Sequence, residues 1–250
     1  MCKQNRNILA FTLIELSIVL VIISLVISAI TAGNYLVTNA KLRAVIKETQ
    51  DILTATSAFR DRYFALPGDL DNAQTIFGST DKNGNAITNG NANGLLDGTV
   101  IGTSSTWPEH YSAMQELALA GLIKGTYNGT GTATIGVNIP ASSYANNAGY
   151  FFIAYNFFGQ FQTLNSLVFD TITAGANNLG IAVNDAYYID NKIDDGLPYT
   201  GKVVSYGSAA NNCVATYLNG AASPLSGYVY LYNGTTNCQV NFAFPSFSFQ

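Results

Sequence analysis

Charge is the scarcest feature of this sequence. Only 10% of its 250 residues are charged, against roughly 25% in an average soluble domain. The 11 Lys and Arg are outnumbered by 15 Asp and Glu, and no basic run exceeds a few residues. A nucleic-acid footprint is therefore excluded. One His and three Cys (Cys2, Cys213, Cys238) cannot furnish the nitrogen and sulfur ligands of most transition-metal sites. There is no CxxC pair for redox catalysis and no GxSxG elbow for a serine hydrolase. His110 stands beside Glu109 with neither nucleophile nor orienter, so it reads as a surface histidine, and the chain reads as a non-enzyme. Proline is also rare, with six in all and none before Pro67, so no residue ahead of it breaks a helix.

What is abundant is apolar surface, and it is concentrated at the front. From Ile8 to Ala40 the one charged residue is Glu15, and Leu16–Gly33 is a run of 18 residues without charge. With Phe11–Ile14 it passes the roughly 20 residues that a membrane-spanning helix needs. Lys3 and Arg6 precede it, as the positive-inside rule requires of a cytoplasmic N-terminus. A secretory signal would be cut near Ser28-Ala29-Ile30 or Thr31-Ala32-Gly33. A lipoprotein signal fails because Cys2 lies before the apolar core. A retained anchor is the third reading. Glu15 argues against an ordinary signal, because a carboxylate inside an apolar span costs roughly 2.5–3.5 kcal/mol at mid-membrane. No Lys or Arg lies within a few helical turns, so a countercharge must come from another molecule.

Beyond Gly33-Asn34 the pattern becomes amphipathic. Leu42, Val45, Ile46, Ile52, Leu53, Phe59 and Tyr63 recur at threes and fours, with Thr49 and Thr56 filling the stripe. Pro67-Gly68-Asp69 stops the pattern. A helix from Phe11 to about Phe64 would be roughly 80 Å long, and its second half needs a sheet to cover the stripe. Two helices with a bend near Gly33-Asn34 serve the same architecture. Past Pro67 the composition turns to Asn, Gly, Thr, Ser and Tyr, with candidate strands at Tyr150–Phe158, Ser166–Phe169, Gly180–Val183, Lys202–Tyr206, Gly227–Tyr232 and Val240–Phe244. Pro108–Ala120 reads as a helix, with Thr106 near its N-cap, Gly121 as its stop, and a core stripe of Tyr111, Met114, Leu117 and Leu119. The class is α+β, a long helix packed on an antiparallel sheet. The aromatics Tyr228, Tyr230, Tyr232, Phe242, Phe244, Phe247 and Phe249 alternate at period two, and core packing explains them before sugar stacking does.

Two stretches have the oxygen chemistry of Ca2+ sites. Asn89, Asn91, Asn93 and Asp97 occupy positions 1, 3, 5 and 9 of an EF-type loop, with Gly94 at the turn and the Leu95 carbonyl at position seven. Position twelve is Val100, so affinity would be weak unless Glu109 or Asp81 approaches; an ordinary Asn/Gly turn cluster is the competing reading. Asp190, Asp194 and Asp195 form a second candidate, because carboxylates this close repel unless neutralised. Lys192 and backbone N–H groups are the alternative partners there. No cofactor is required.

The run Ala10-Phe11-Thr12-Leu13-Ile14-Glu15-Leu16, continued by Ser17–Ile22, resembles the N-terminus of type IV prepilins and type II secretion pseudopilins. Phe59–Asp69 and Ile189–Gly196 also resemble stretches of larger pilin-like proteins. The resemblance implies a leader, residues 1–10, cut between Ala10 and Phe11 by a prepilin peptidase that also methylates the new N-terminus. Ala10 stands where the family usually has Gly. It further implies a transmembrane or filament-core helix over 11–33, its amphipathic continuation over 34–66, and an extracytoplasmic domain over 67–250. The partners implied are the lipid bilayer, an inner-membrane assembly platform and homologous subunits, one of which would set its terminal amine against Glu15. Cutting removes Lys3 and Arg6, taking the 11 basic residues to 9 against 15 acidic, a net of −6. It also removes Cys2, leaving Cys213 and Cys238, which pilins commonly bridge; two unrelated thiols are the alternative. The size implied for the mature chain suits a minor pilin or pseudopilin, and Glu15 argues against the tip position. The implied location is the inner membrane, N-terminus cytoplasmic, then a filament. The rival class is a secreted adhesive or carbohydrate-binding protein, with a mature N-terminus between Ala29 and Asn34 in place of Phe11.

Overall fold

A computed structural model describes residues 12–96, 109–155, 164–173, 176–177, 180–198, 200–206, 213 and 237–244. The chain divides into two units, Met1–Lys41 and Leu42–Gln250. Helix α1 runs over Leu13–Tyr63, within two residues of the span the periodicity predicts. In the first unit its large apolar side chains are exposed on all sides, from Leu13 to Val37. In the second unit Leu42, Val45, Thr49, Ile52, Ala55, Thr56 and Phe59 are buried. The stripe read from the sequence is the stripe the fold covers.

What covers it is an antiparallel sheet. Strands β1 (Ala148–Tyr155), β2 (Leu164–Thr173), β3 (Ala176–Asn177), β4 (Ile181–Ala182), β5 (Val203–Tyr206) and β6 (Asn237–Phe244) include the order β1-β2-β6-β4, with β3 on β2 and β5 on β6. The registers Tyr150↔Phe169 and Phe152↔Leu167 continue into Phe169↔Val240 and Leu167↔Phe242. Because strand side chains alternate between faces, these residues form one core with Leu42, Val45, Ile52 and Phe59 of α1. Phe151, Val168 and Ile172, on the other face, form a second cluster with Tyr111, Ala133 and Ile139. Five of the six candidate strands correspond to observed ones, and Gly227–Tyr232 lies outside the described residues, as do Thr106 and the tail beyond Phe244. Helix α3 (Glu109–Leu119) is the expected one, with Tyr111, Met114 and Leu117 buried. Two helices were not legible, the single-turn α2 (Ala73–Phe77) and α4 (Val183–Ile193). Helix α4 buries Val183, Ala186 and Ile189, a three-residue spacing obscured by its polar intervening residues.

Polar contacts fix how α1 sits on the sheet. Glu48 Oε2 accepts hydrogen bonds from the Tyr150 hydroxyl (2.8 Å) and the Ser142 hydroxyl (2.9 Å), while Oε1 accepts from the Ser143 N–H (3.2 Å) and hydroxyl. Burial, followed by this carboxylate's charge and hydrogen bond, pushes the Tyr150 hydroxyl well above the usual phenol range, so it stays a donor. Phe64 follows the last residue of α1, and its N–H donates to the Arg60 carbonyl (2.8 Å). Its φ of +58° is a left-handed conformation that costs a side-chain-bearing residue roughly 1–2 kcal/mol.

Among the buried acids of this unit, Glu116 combines full burial with an unsatisfied oxygen. Glu116 is 0% exposed; its Oε2 accepts the Gly68 N–H at 2.7 Å, and its Oε1 has no hydrogen-bond partner. Burial pushes its carboxyl up to about 8, with Asp69 and Glu109 adding to the rise and the Gly68 N–H opposing it. A carboxyl raised in the native state favours folding at low pH, and that contribution is lost as pH climbs from about 4.5 towards 8. Each pH unit inside that window costs up to about 1.4 kcal/mol. Denaturant unfolding of the full chain in detergent should therefore show lower stability at about pH 8.5 than at about pH 5.5. Glu116→Gln should flatten that slope, and an unchanged slope would remove Glu116 as its source.

The second cross-link is covalent. Cys213 and Cys238 are bonded across 25 residues, as the resemblance implied, and Cys238 sits in β6 opposite Ile181 of β4. Cys213→Ser with Cys238→Ser should lower the unfolding free energy by about 2–5 kcal/mol. Identical denaturation midpoints for the double variant and the oxidised parent would rule that out.

Candidate functional site

The N-terminal segment of α1 is apolar around its whole circumference, with Leu13, Ile14, Leu16, Ile18 and Val19 all exposed. It is long and apolar enough to cross a membrane, and such a helix is stable in lipid only if its polar groups are satisfied internally. They are. The hydroxyls of Ser17, Ser24, Ser28, Thr31 and Thr38 donate back to the carbonyls of Ile14, Leu20, Ser24, Ser28 and Asn34, at 2.8–3.1 Å. These five hydroxyls thus turn their donors back onto the helix and away from the apolar surface.

Glu15 is held by a local device at the start of this helix. Its Oε2 accepts both the N–H (2.9 Å) and the hydroxyl (2.8 Å) of Thr12, and the Glu15 N–H donates to the Thr12 hydroxyl at 3.3 Å. This is the reciprocal capping box of a Thr-x-x-Glu sequence. The sequence reading sought only a cation for Glu15 and missed the neutral partner three residues away, although Thr12-Leu13-Ile14-Glu15 carried the signal. The box supplies hydrogen bonds and no countercharge. It also pre-orients the carboxylate at the end of the helix where the dipole favours a negative charge. Ala10 and Phe11, the residues flanking the expected cut, lie outside the described residues.

The Asn/Gly loop of the first Ca2+ candidate wraps around two carboxylates. The N–H groups of Asn93 (3.0 Å) and Gly94 (2.8 Å) donate to Asp69, and that of Asn91 donates to Glu109 (3.0 Å). Glu109 does approach, but it meets backbone N–H of the loop. The side-chain oxygens of Asn91 and Asn93 accept the N–H groups of Asn93 and Leu95, at 3.0 and 2.7 Å, while Asn89 accepts from Gln74 at 2.9 Å. Asp97 lies outside the described residues. Gly68 permits the approach of α3, since a Cβ there would strike the Glu109 carbonyl, and its φ of +90° already favours glycine. Pro67-Gly68-Asp69 is thus a packing hub as well as a helix stop.

Asp190, Asp194 and Asp195 do converge. One carboxylate oxygen from each lies within 4.8 Å of the others, because α4 ends here and the chain turns back. Asp190 accepts the Gly196 N–H (3.2 Å), Asp195 accepts the Leu197 N–H (2.9 Å), and Asp194 accepts the N–H groups of Lys202 and Val203. The backbone partners weighed from the sequence are present. Lys192 instead leans over the Tyr188 ring, 5.8 Å from its centroid. His110 corrects the sequence reading: it is buried, with its ring 4.0 Å from that of Tyr111, because α3 is enclosed on nearly every face. Its short polar-looking stretch hid a core helix.

Among the described residues these arrangements organise a helix terminus, a membrane-compatible surface and tight turns. Residues 5–31 match the family model of the prokaryotic N-terminal methylation motif. No curated protein and no solved structure matches the chain. The match spans Ala10-Phe11, Glu15 and most of the apolar segment of α1 together. The chain therefore carries the prokaryotic N-terminal methylation motif, the prepilin-type signature of type IV pilins and pseudopilins.

Proposed function

We propose that this chain is a minor pilin or pseudopilin, clipped between Ala10 and Phe11, methylated, and polymerised through α1 into a type IV pilus or type II secretion filament. The observation that carries the reading is the apolar helix, exposed on every side over Leu13–Val37, with Glu15 as its one charge. Before assembly the lipid bilayer covers that surface, with the N-terminus cytoplasmic and the residues beyond the helix periplasmic. After assembly neighbouring helices cover it. The methylation motif over residues 5–31 supports both the processing step and the filament destination. The work is structural, and no step of it calls for a catalytic group.

The capping box gives Glu15 a defined role in this sequence of events. Held by Thr12, the carboxylate is presented at a fixed place on the helix, where the amine of a neighbouring mature chain can pair with it. Two opposite charges attract strongly at low dielectric, although desolvation consumes much of the gain. The pair therefore sets the register of subunits more than it adds raw stability. Glu15→Val should still insert and be cut, since it lowers the insertion cost, yet enter filaments poorly. A complementation assay in which Glu15→Val chains sediment with sheared filaments as well as the parent would remove the pairing.

Cleavage tests the reading from the other side. A peptidase that normally receives Gly before the cut must have a narrow pocket, which Ala10 fits and a larger residue does not. Ala10→Gly should be processed at least as well as the parent, while Ala10→Leu should accumulate as precursor. N-terminal sequencing that begins between Ala29 and Asn34, and not at Phe11, would point to conventional secretion.

A further inference from the structure

The sequence holds six Asn-Gly steps, at Asn83, Asn89, Asn93, Asn128, Asn219 and Asn233, and the last two lie outside the described residues. Asparagine is thermolabile, most of all before glycine, where no Cβ hinders the next backbone nitrogen. That nitrogen attacks the side-chain carbon Cγ, so two conditions decide whether a folded chain permits the step. The asparagine side chain must lie back over the following peptide, and the glycine N–H must not be held by an acceptor.

Three of the four described steps fail at least one condition. The Gly84 N–H donates to the Asp81 carbonyl (3.0 Å), the Gly90 N–H to the Leu70 carbonyl (2.8 Å) and the Gly94 N–H to Asp69 Oδ2 (2.8 Å). Asn89 is further excluded because its Oδ1 is turned to the Gln74 N–H (2.9 Å). Asn93 does fold back, its Oδ1 accepting the Leu95 N–H at 2.7 Å, but the Gly94 nitrogen is the one tied to Asp69. Asn128 meets both conditions. Its Oδ1 accepts the Thr130 N–H at 3.3 Å, and among the described residues the Gly129 N–H has no acceptor. Asn128 is half-buried, so water reaches it. Glycine cannot be exchanged at the next position, because its φ is +67° and a Cβ would strike the side-chain carbonyl of buried Gln115. The fold thus requires the reactive dipeptide and leaves it unguarded.

We propose that Asn128 is a site of spontaneous succinimide formation, which converts it with age to aspartyl and isoaspartyl residues. The Gly129 nitrogen forms a bond to Cγ of Asn128 and the Cγ–Nδ2 bond breaks. The side-chain nitrogen leaves as ammonia, carrying the proton that Gly129 gives up. Water then opens the ring at either carbonyl. Opening at Cγ restores the original chain path with a carboxylate side chain, whereas opening at the main-chain carbonyl routes the chain through Cβ and Cγ. The rerouted chain is one carbon longer, in a stretch pinned on both sides. The Asn128 N–H donates to the Val137 carbonyl (3.0 Å), and Asn138 Nδ2 donates to the carbonyls of Thr130 (2.9 Å) and Thr132 (3.0 Å). The added length therefore pushes Gly129 against Gln115. Either product turns a neutral amide into a carboxylate, so altered chains separate by charge.

The test incubates the full chain in detergent at neutral pH, one sample folded and one in denaturant, and quantifies aspartyl and isoaspartyl peptides by mass-spectrometric mapping. In the folded sample an engaged glycine nitrogen must first give up its hydrogen bond, which slows the step up to about tenfold. Asn128 should therefore convert about tenfold faster than Asn83, Asn89 or Asn93 when folded. In denaturant, where all four share one dipeptide, it should convert at a rate like theirs. The Asn128 peptide should carry both products, and Asn128→Gln, whose side chain would have to close a larger ring, should carry neither. Equal conversion of the four steps in the folded chain would overturn the proposal, as would an Asn128 that stays intact when folded but converts in denaturant. An excess at Asn128 that persists unchanged in denaturant would assign it to flanking residues and overturn the role of the fold. Aspartyl product alone would mean direct hydrolysis and rule out the ring.

Discussion

Everything in the second unit depends on covering one stripe of α1. Leu42, Val45, Ile52 and Phe59 would face water on a free helix, at about 25 cal/mol for each Å² of apolar surface. The sheet supplies the cover through Tyr150, Phe152, Leu167, Phe169, Val240 and Phe242, all placed on one face by the alternation of β1, β2 and β6. Helix and sheet are therefore each unstable without the other. The Glu48 cluster with Ser142, Ser143 and Tyr150 then fixes the register of the two layers, which apolar contacts alone leave free to slide.

The first unit obeys the opposite rule. Its helix has no covered face among its apolar residues, and the hydroxyls of Ser24, Ser28 and Thr38 are turned back onto carbonyls four residues earlier. In water such a surface is a liability, whereas in a bilayer or among copies of itself it is the favourable state. One helix thus carries two halves suited to different surroundings. The change of pattern near Lys41 marks the change of environment.

Much of this was legible in the sequence, for identifiable reasons. The α1 stripe, the helix over Glu109–Leu119 and most strands follow from hydrophobic period, which is a local signal. The prepilin-like run was legible because the methylation motif is contiguous in the sequence. Helix α4 was missed because its buried face holds only a few small or branched residues, and His110 because nothing local reports that α3 is enclosed. In the Asn/Gly loop composition places oxygen atoms at metal-like spacing, and tertiary contacts that composition does not report bring N–H groups of that loop onto Asp69 and Glu109. Which side of a loop faces inward is settled by the partners that arrive, and these came from 22 residues upstream of Asn91 and 18 residues downstream.

Strand β6 pairs with β2, β4 and β5, and it follows all three in the chain. During synthesis the central seam of the sheet is therefore missing until β6 has been made. The earlier strands can form the β1–β2 hairpin, but a sheet able to cap α1 must wait, because its closing contacts are distant in sequence. Topology alone delays the compact state, and the Cys213–Cys238 bond then locks the strand whose late arrival caused the delay.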